Sequence, residues 1–374
     1  MAFCCLDVTS YPLNGDIPDI EGRHILCLNE RIAEPIKENR MPSTSLVVSP
    51  SLGLPIAQMR SVFSADQVER KLAHLQASGN EREHDALRNT LQRMLERGPE
   101  RFAVKPSGVP DMAPLYDLLP NFGEVLDDVK RHVALSQDSL DSLEVTPILL
   151  LGPPGVGKTH FARQIADLLG TGMNLVPMSS MTAGWLLSGS SSQWKGAKPG
   201  KVFEALVDGQ YANPVIVVDE IDKASADAQY DPLGALYSLL EHDTAQHFVD
   251  EFAEVPIDAS QVIWITTANH ERAIPEPILN RMNVFEIAAP SPEAARRIAS
   301  HLYATIRSEH DWGQRFEPTP PADVLDLLAG LAPREMRRAL VTAFGNARLD
   351  QRYALHTEDL PRAASSKGRI GFMQ

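Results

Sequence analysis

The stretch ILLLGPPGVGKT, Ile148 to Thr159, decides the fold. Four apolar residues make a short buried strand, the glycines after them turn the chain sharply, and an apolar helical pattern runs on from Thr159 to Leu169. A strand that enters a glycine-rich turn and opens a helix gathers backbone N–H groups around one point, where the helix dipole favours an anion. The turn and its first helical residues are Gly152, Pro153, Pro154, Gly155, Val156, Gly157, Lys158, Thr159 and His160. Lys158 is placed to reach the β- and γ-phosphates of a nucleotide, and the Thr159 hydroxyl to enter the shell of a Mg²⁺ ion.

Working outward, further apolar runs at Leu175–Met178, Val215–Val218, Val262–Thr266 and Val284–Ile287 have the length of buried parallel strands, with helical stretches between them. The fold class this predicts is α/β: a P-loop nucleotide-binding module with a parallel sheet. In VIVVDEID, Asp219 stands at the carboxyl end of its strand, where it can hold hydrated Mg²⁺, and Glu220 beside it can polarise an attacking water. The run ITTAN ends a third strand and brings Asn269 to the same edge, where its amide can hold that water from the other side. Hydrolysis of ATP with Mg²⁺ is the chemistry these residue types suit.

After Pro290 only helical patterns remain. Ser291 before Pro292 is a helix start, with Ala295, Ile298, Leu302 and Ile306 on one stripe; Pro333 opens another helix, striped by Met336, Leu340, Ala343 and Phe344. A small all-helical domain is predicted over 290–374. Before the α/β module, Val68, Leu72 and Leu75, then Leu87, Leu91 and Met94, predict a helical hairpin, either a packing element or a partner-binding arm. Residues 1–60 carry scattered prolines and receive no fold. Five prolines between Gly98 and Pro120 predict an extended linker. The expected plan is 1–100 as a mainly helical or irregular recognition region, 101–118 as linker, 119–289 as the α/β core and 290–374 as a helical lid and tail.

At 374 residues the chain has room for two or three domains. Its formal charge of −14 repels phosphate backbones, so nucleic acid is a disfavoured partner. No apolar run has the ~18 residues of a membrane helix, and the amino terminus shows no secretory pattern, so a cytoplasmic location without membrane contact is expected. Cys4, Cys5 and Cys27 are expected to be reduced thiols, too few for a four-ligand zinc site.

GPPGVGKT, VIVVDEIDK, ITTAN and PEPILNRM, in this order, resemble the motifs of the AAA+ ATPases, and the detail is closest to the ATPase module of Lon-type proteases. WKGAKPGKVFEAL and DPLGALYSLLEHDTAQHFVDEF resemble the Lon segments before and after VIVVDEIDK. The similarity covers about Leu119 to Arg348. By resemblance, Lys158 and Thr159 match Walker A, Asp219 and Glu220 match Walker B, and Asn269 matches sensor 1. Arg281 matches the arginine finger that acts on ATP in a neighbouring subunit, and Arg334 matches sensor 2, with Ala332 where the family has glycine. Phe122 and Gly123 match the segment whose backbone frames the adenine.

Trp194, Lys195 and Gly196 match the substrate-gripping pore loop, with Trp194 in place of tyrosine and Lys195 in place of an aliphatic residue. The flanking Gly189 and Ser190–Ser192 suit a mobile loop. The resemblance implies a homo-oligomer, expected to be a hexamer, working on protein substrates as a chaperone-like unfoldase. Forty residues follow Arg334, too few for the serine–lysine peptidase of Lon, and neither H-E-x-x-H nor G-x-S-x-G occurs. The chain is expected not to cut peptides, and docking of a separate peptidase or adaptor stays open. Two other readings also stay open: an ATP-dependent switch or scaffold without threading, and a nucleic-acid motor.

Overall fold

The computed structural model describes residues 55–77, 85–180, 184–194, 196–224 and 231–361. The expectations for residues 1–54, for the three cysteines and for Lys195 lie outside them.

The centre is a five-stranded parallel sheet of β3 (Ile148–Leu151), β4 (Met173–Pro177), β5 (Val215–Asp219), β8 (Ile263–Ala268) and β9 (Asn283–Glu286), in the order β4-β5-β8-β3-β9. Alternate residues of each strand enter different cores, as the two-residue strand period requires. Ile148, Leu150, Val215, Val217, Ile263 and Ile265 face one core, completed by α4 (Gly123–Leu135) and α5 (Lys158–Leu169); Leu149, Val176, Ile216, Val218 and Trp264 face the other. Burial on both faces explains why the central strands β3, β5 and β8 read as continuous apolar runs, whereas the edge strands β4 and β9 expose Leu175 and Val284.

The second core is also filled from the amino-terminal side. Helices α1 (Ala65–Ala77) and α2 (Asp85–Arg97) insert Val68, Leu75, Leu87, Leu91 and Met94 into it, so the hairpin is a packing element of the sheet's own core. Strands β1 (Pro55–Ser61) and β2 (Glu100–Pro106) pair antiparallel around them. The extended linker expected over 101–118 is therefore corrected: it holds β2 and α3 (Ala113–Leu118). The prolines bracket the strand, while its interior pairs on both sides, with Phe102 N–H donating to Gln210 O at 3.0 Å and Val104 N–H to Asn213 Oδ1 at 2.9 Å. Buried Arg101 donates to the carbonyls of Leu206 and Val207, in the π-helical turn Glu204–Asp208 that continues α6 (Lys201–Phe203).

Between β5 and β8 lie α7 (Leu236–Leu239), α8 (His242–Ala245) and a small antiparallel pair, β6 (Phe248–Val249) and β7 (Pro256–Ile257). A short helix α9 (Glu276–Leu279) precedes β9. The carboxyl-terminal helices α10 (Pro292–Glu309), α11 (Ala322–Leu328) and α12 (Pro333–Leu349) enclose a third core that contains all the stripe residues read from the sequence, with Leu302 partly buried. Ser291 caps α10 as expected, its hydroxyl accepting from Ala294 N–H at 3.2 Å.

Candidate functional site

Topology assembles the site. Strand β8 lies between β3 and β5, and Leu151 pairs in register with Ala268, so the phosphate turn, Asp219 and Asn269 leave the sheet side by side at its carboxyl edge. Ligands of open α/β sheets bind at that edge. Gly157, the residue before α5, has φ of 104°, a conformation open to glycine and strained for a side chain.

Lys158 donates to the carbonyls of Gly152 and Pro153, at 2.5 and 3.1 Å, and to Asn269 Oδ1 at 3.0 Å. Burial pushes its ammonium below the ordinary lysine range, against the attraction of Asp222, Asp219 and Glu220. Thr159 Oγ1 donates to Asp219 Oδ1 at 3.1 Å. A hydroxyl and a carboxylate together are hard oxygen donors, the kind Mg²⁺ takes in company with phosphate oxygens and water. The residues fit Mg²⁺.

Two residues that sequence reasoning passed over tie the site together. Thr267, 1% exposed, donates from Oγ1 to Asp219 Oδ1 at 2.7 Å and accepts the Glu220 N–H at 2.9 Å. Asp222 Oδ2 accepts the backbone N–H groups of Asn269 and His270, both at 3.1 Å. Both lie inside the quoted motifs, ITTAN and VIVVDEID; for Thr267 the available signal was a polar residue in a buried strand, and for Asp222 its place in the acidic turn after Val218.

Glu220 occupies the left-handed region, with φ of 56°, at the turn after β5. Hydrogen bonds from Lys223 first and Ser179 second hold its carboxyl below the usual range, against a smaller effect of burial. The ring of Phe122 is buried and stacked on Phe161, centroids 4.8 Å apart, so that segment can offer a nucleotide its backbone and Gly123 but not the ring. Arg334, in the first turn of α12, comes against the phosphate loop: a Cβ built on Gly155 would lie 3.7 Å from the Cβ atoms of Arg334 and Ala332.

Arg281 is not joined to this group. It pairs with Glu241 at 2.7 Å, donates to Pro277 O and lies over the Tyr237 ring at 5.9 Å. Trp194 lies apart as well, 48% exposed and in edge-to-face contact with Trp185 at 5.2 Å; Trp185 went unremarked in the sequence. Residues 148–290 match the family model of the ATPase family associated with various cellular activities, AAA.

Residues 148–290 are an AAA ATPase domain.

ATP hydrolysis is the activity of such a domain. Over a wider span the chain is similar to Lon proteases. It is 33% identical over 250 residues to Lon protease 2 of Hydrogenovibrio crunogenus, which covers 63% of this chain and 28% of the relative. It is 35% identical over 189 residues to Lon protease of Halothermothrix orenii, covering 50% of this chain and 24% of the relative. The chain thus spans about a quarter of the length of these curated relatives. A variant of Thermotoga maritima RuvB is similar at 14% identity and a TM-score of 0.43, covering 64% of this chain and 66% of that one, a likeness that carries no argument. Among the described residues no helix is long and apolar enough to cross a membrane.

Proposed function

We propose that this chain is a subunit of a homo-oligomeric, cytoplasmic AAA+ ring, a hexamer by analogy, that hydrolyses ATP to unfold or remodel protein substrates. The observation that carries the ATPase reading is the convergence of Lys158, Thr159, Asp219 and Asn269 at one sheet edge, linked by hydrogen bonds of 3.0 to 3.1 Å. Lys158 and the loop N–H groups bind the phosphates, and Thr159 and Asp219 would hold Mg²⁺. When bound, that ion neutralises charge on the phosphate oxygens. Glu220 orients and polarises the attacking water, which requires it to leave Lys223. Asn269 holds the water's other side. Arg334 approaches the phosphates from the lid, and Phe122 and Gly123 line the base by their backbone.

Oligomerisation is supported by the position of Arg281, whose partners Glu241, Pro277 and Tyr237 lie outside the nucleotide group; its role is assigned to the neighbouring subunit's ATP. Protein as the substrate is supported by the similarity to Lon proteases and by the exposed Trp194 beside Trp185. We read the chain as an ATPase unit without peptide cleavage of its own. A docked peptidase or adaptor remains compatible with it.

The deciding experiment is Glu220→Gln. The variant should bind ATP, hydrolyse it about a hundredfold or more slowly and sediment as a stable oligomer, because only the water-activating carboxylate is lost. Normal turnover would remove Glu220 from the reaction. Turnover in the wild type that unfolded protein leaves unaltered would favour a nucleotide switch, and stimulation by DNA in its place would favour a nucleic-acid motor.

A further inference from the structure

The loop that carries Trp194 was expected to be mobile, yet one of its stems is hydrogen-bonded to a buried carboxylate and the other packs closely against it. Asp250, at the end of β6, is 0% exposed. Its Oδ2 accepts the Gly200 N–H at 2.7 Å, and its Oδ1 accepts those of Phe252 and Ala253, both at 3.0 Å. The opposite stem presses on the same group: a Cβ built on Gly189, whose φ is +80°, would lie 2.8 Å from both carboxylate oxygens. The stems also touch each other, since a Cβ on Gly200 would lie 2.4 Å from Gly189 N. Around this clamp Glu251 N–H donates to Ser188 O at 2.6 Å, Ser188 Oγ to Glu251 Oε1 at 3.1 Å, and Ser192 Oγ to Glu254 Oε1 at 3.0 Å.

We propose that Asp250 is the positioning residue that holds the tryptophan loop, residues 187–200, on the β6–β7 connection, so that the two segments act on a client polypeptide as one body. An ionised carboxylate can be retained in an apolar core only where donors converge on it, and here they come from both segments. The carboxylate accepts across the gap between loop and connection, which a hydrophobic side chain of similar volume could not do. Asp250 makes no contact with the client. It acts through the loop, and the proposal therefore rests on the client-contact reading of Trp194 given above.

The test compares wild type with Asp250→Asn, which keeps the size of the group but turns one acceptor into a donor facing backbone N–H. The probe is reduced, carboxymethylated α-lactalbumin, a permanently unfolded chain. Two signals are read: the concentration of probe giving half-maximal stimulation of ATP turnover, and the near-ultraviolet circular dichroism of the Trp185–Trp194 pair, identified as the part lost in Trp194→Ala. The expected result is a rise in half-maximal concentration of about fivefold or more, together with loss of the pair's signal. A pair signal equal to wild type overturns the proposal whatever the probe data show. Should Asp250→Asn fail to fold, Gly189→Ala attacks the same contact from the loop side and is judged by the same signals. If Trp194→Ala leaves stimulation intact, the client reading of the loop fails, while a lost pair signal in Asp250→Asn still upholds the positioning.

Discussion

Thr267→Val removes one oxygen and keeps the shape of the side chain, and its effect can be worked from two hydrogen bonds. The hydroxyl donates to Asp219 at 2.7 Å and accepts the Glu220 N–H at 2.9 Å, at a position that is 1% exposed. A hydrogen bond to a charged group contributes about 1.5–3 kcal/mol, and a buried N–H left without a partner costs about 1–3 kcal/mol. Glu220 also sits at φ of 56°, a strained conformation for a residue with a side chain, and the Thr267 bond is what offsets that strain. The contributions overlap, so the expected loss of stability is about 2–4 kcal/mol and not their full sum.

The functional effect follows from the same atoms. With valine, Asp219 loses the donor that orients it toward Thr159, and Glu220 loses its backbone anchor. If about 1.4–2.7 kcal/mol of that loss appears in the transition state, turnover falls tenfold to a hundredfold. Steady-state phosphate release measures the rate, urea unfolding measures stability, and a fluorescent ADP analogue measures binding, which should change little because the phosphate loop is untouched. Thr267→Ser should restore both rate and stability. A folded Thr267→Val protein that turns over ATP within about twofold of wild type would refute the assignment of Thr267 as the link between Asp219 and Glu220.

Three further outcomes are expected. Lys158→Ala should weaken ATP binding about a hundredfold or more, read by fluorescent-nucleotide titration, yet leave the urea midpoint unchanged or higher, because burial already disfavours that ammonium in the folded chain. Asp359, 2% exposed, takes both Nη groups of Arg352 at 2.7 and 2.9 Å and the His356 N–H at 2.7 Å; Asp359→Ala should lower the urea midpoint by leaving that N–H without its acceptor, and a midpoint equal to wild type would refute this. Burial pushes the Asp250 carboxyl from 3.8 up to about 6, so the folded state holds that proton more tightly than the unfolded state. Its contribution is therefore full below pH 3.8 and is lost as pH rises to about 6; wild type should lose stability relative to Asp250→Asn between pH 3.8 and about 6 and hold a steady difference above that, and a difference that does not change across this window would contradict the shift.

What could be read from the sequence was local in character. ILLLGPPGVGKT carries its strand, turn and helix in consecutive residues, and the apolar runs of the three central strands are continuous because both of their faces are buried. Once the sheet is parallel, Asp219 and Asn269 must leave at the carboxyl edge, so their approach to Lys158 could be foreseen. The lid helices were legible for the same reason: each stripe repeats within its own helix. What was missed depends on pairing across long separations. Strand β2 has an ordinary strand interior between two prolines, and nothing near it in sequence announces β1 or residues 210–213 as its partners. Asp250 reads as one acid among several in HFVDEF, and only the fold brings Gly189 and Gly200 against it.

Arg281 carries the part of the proposed function that involves a second subunit. Its position after PEPILN was legible, and so was its charge, but neither gives it a ligand. In the structure Glu241 and the Pro277 carbonyl take its two Nη groups, and the Tyr237 ring faces its guanidinium. These contacts fix the direction of a long side chain, removing rotamer entropy before any partner arrives. In the assembly we propose, a guanidinium whose direction is already set in this way would have less freedom to lose on meeting a triphosphate of the next subunit. The same contacts explain why the arginine does not join the site within one chain: Lys158 bonds to Asn269 and Thr159 to Asp219 at the sheet edge, while the Arg281 guanidinium is committed to Glu241 and the Pro277 carbonyl.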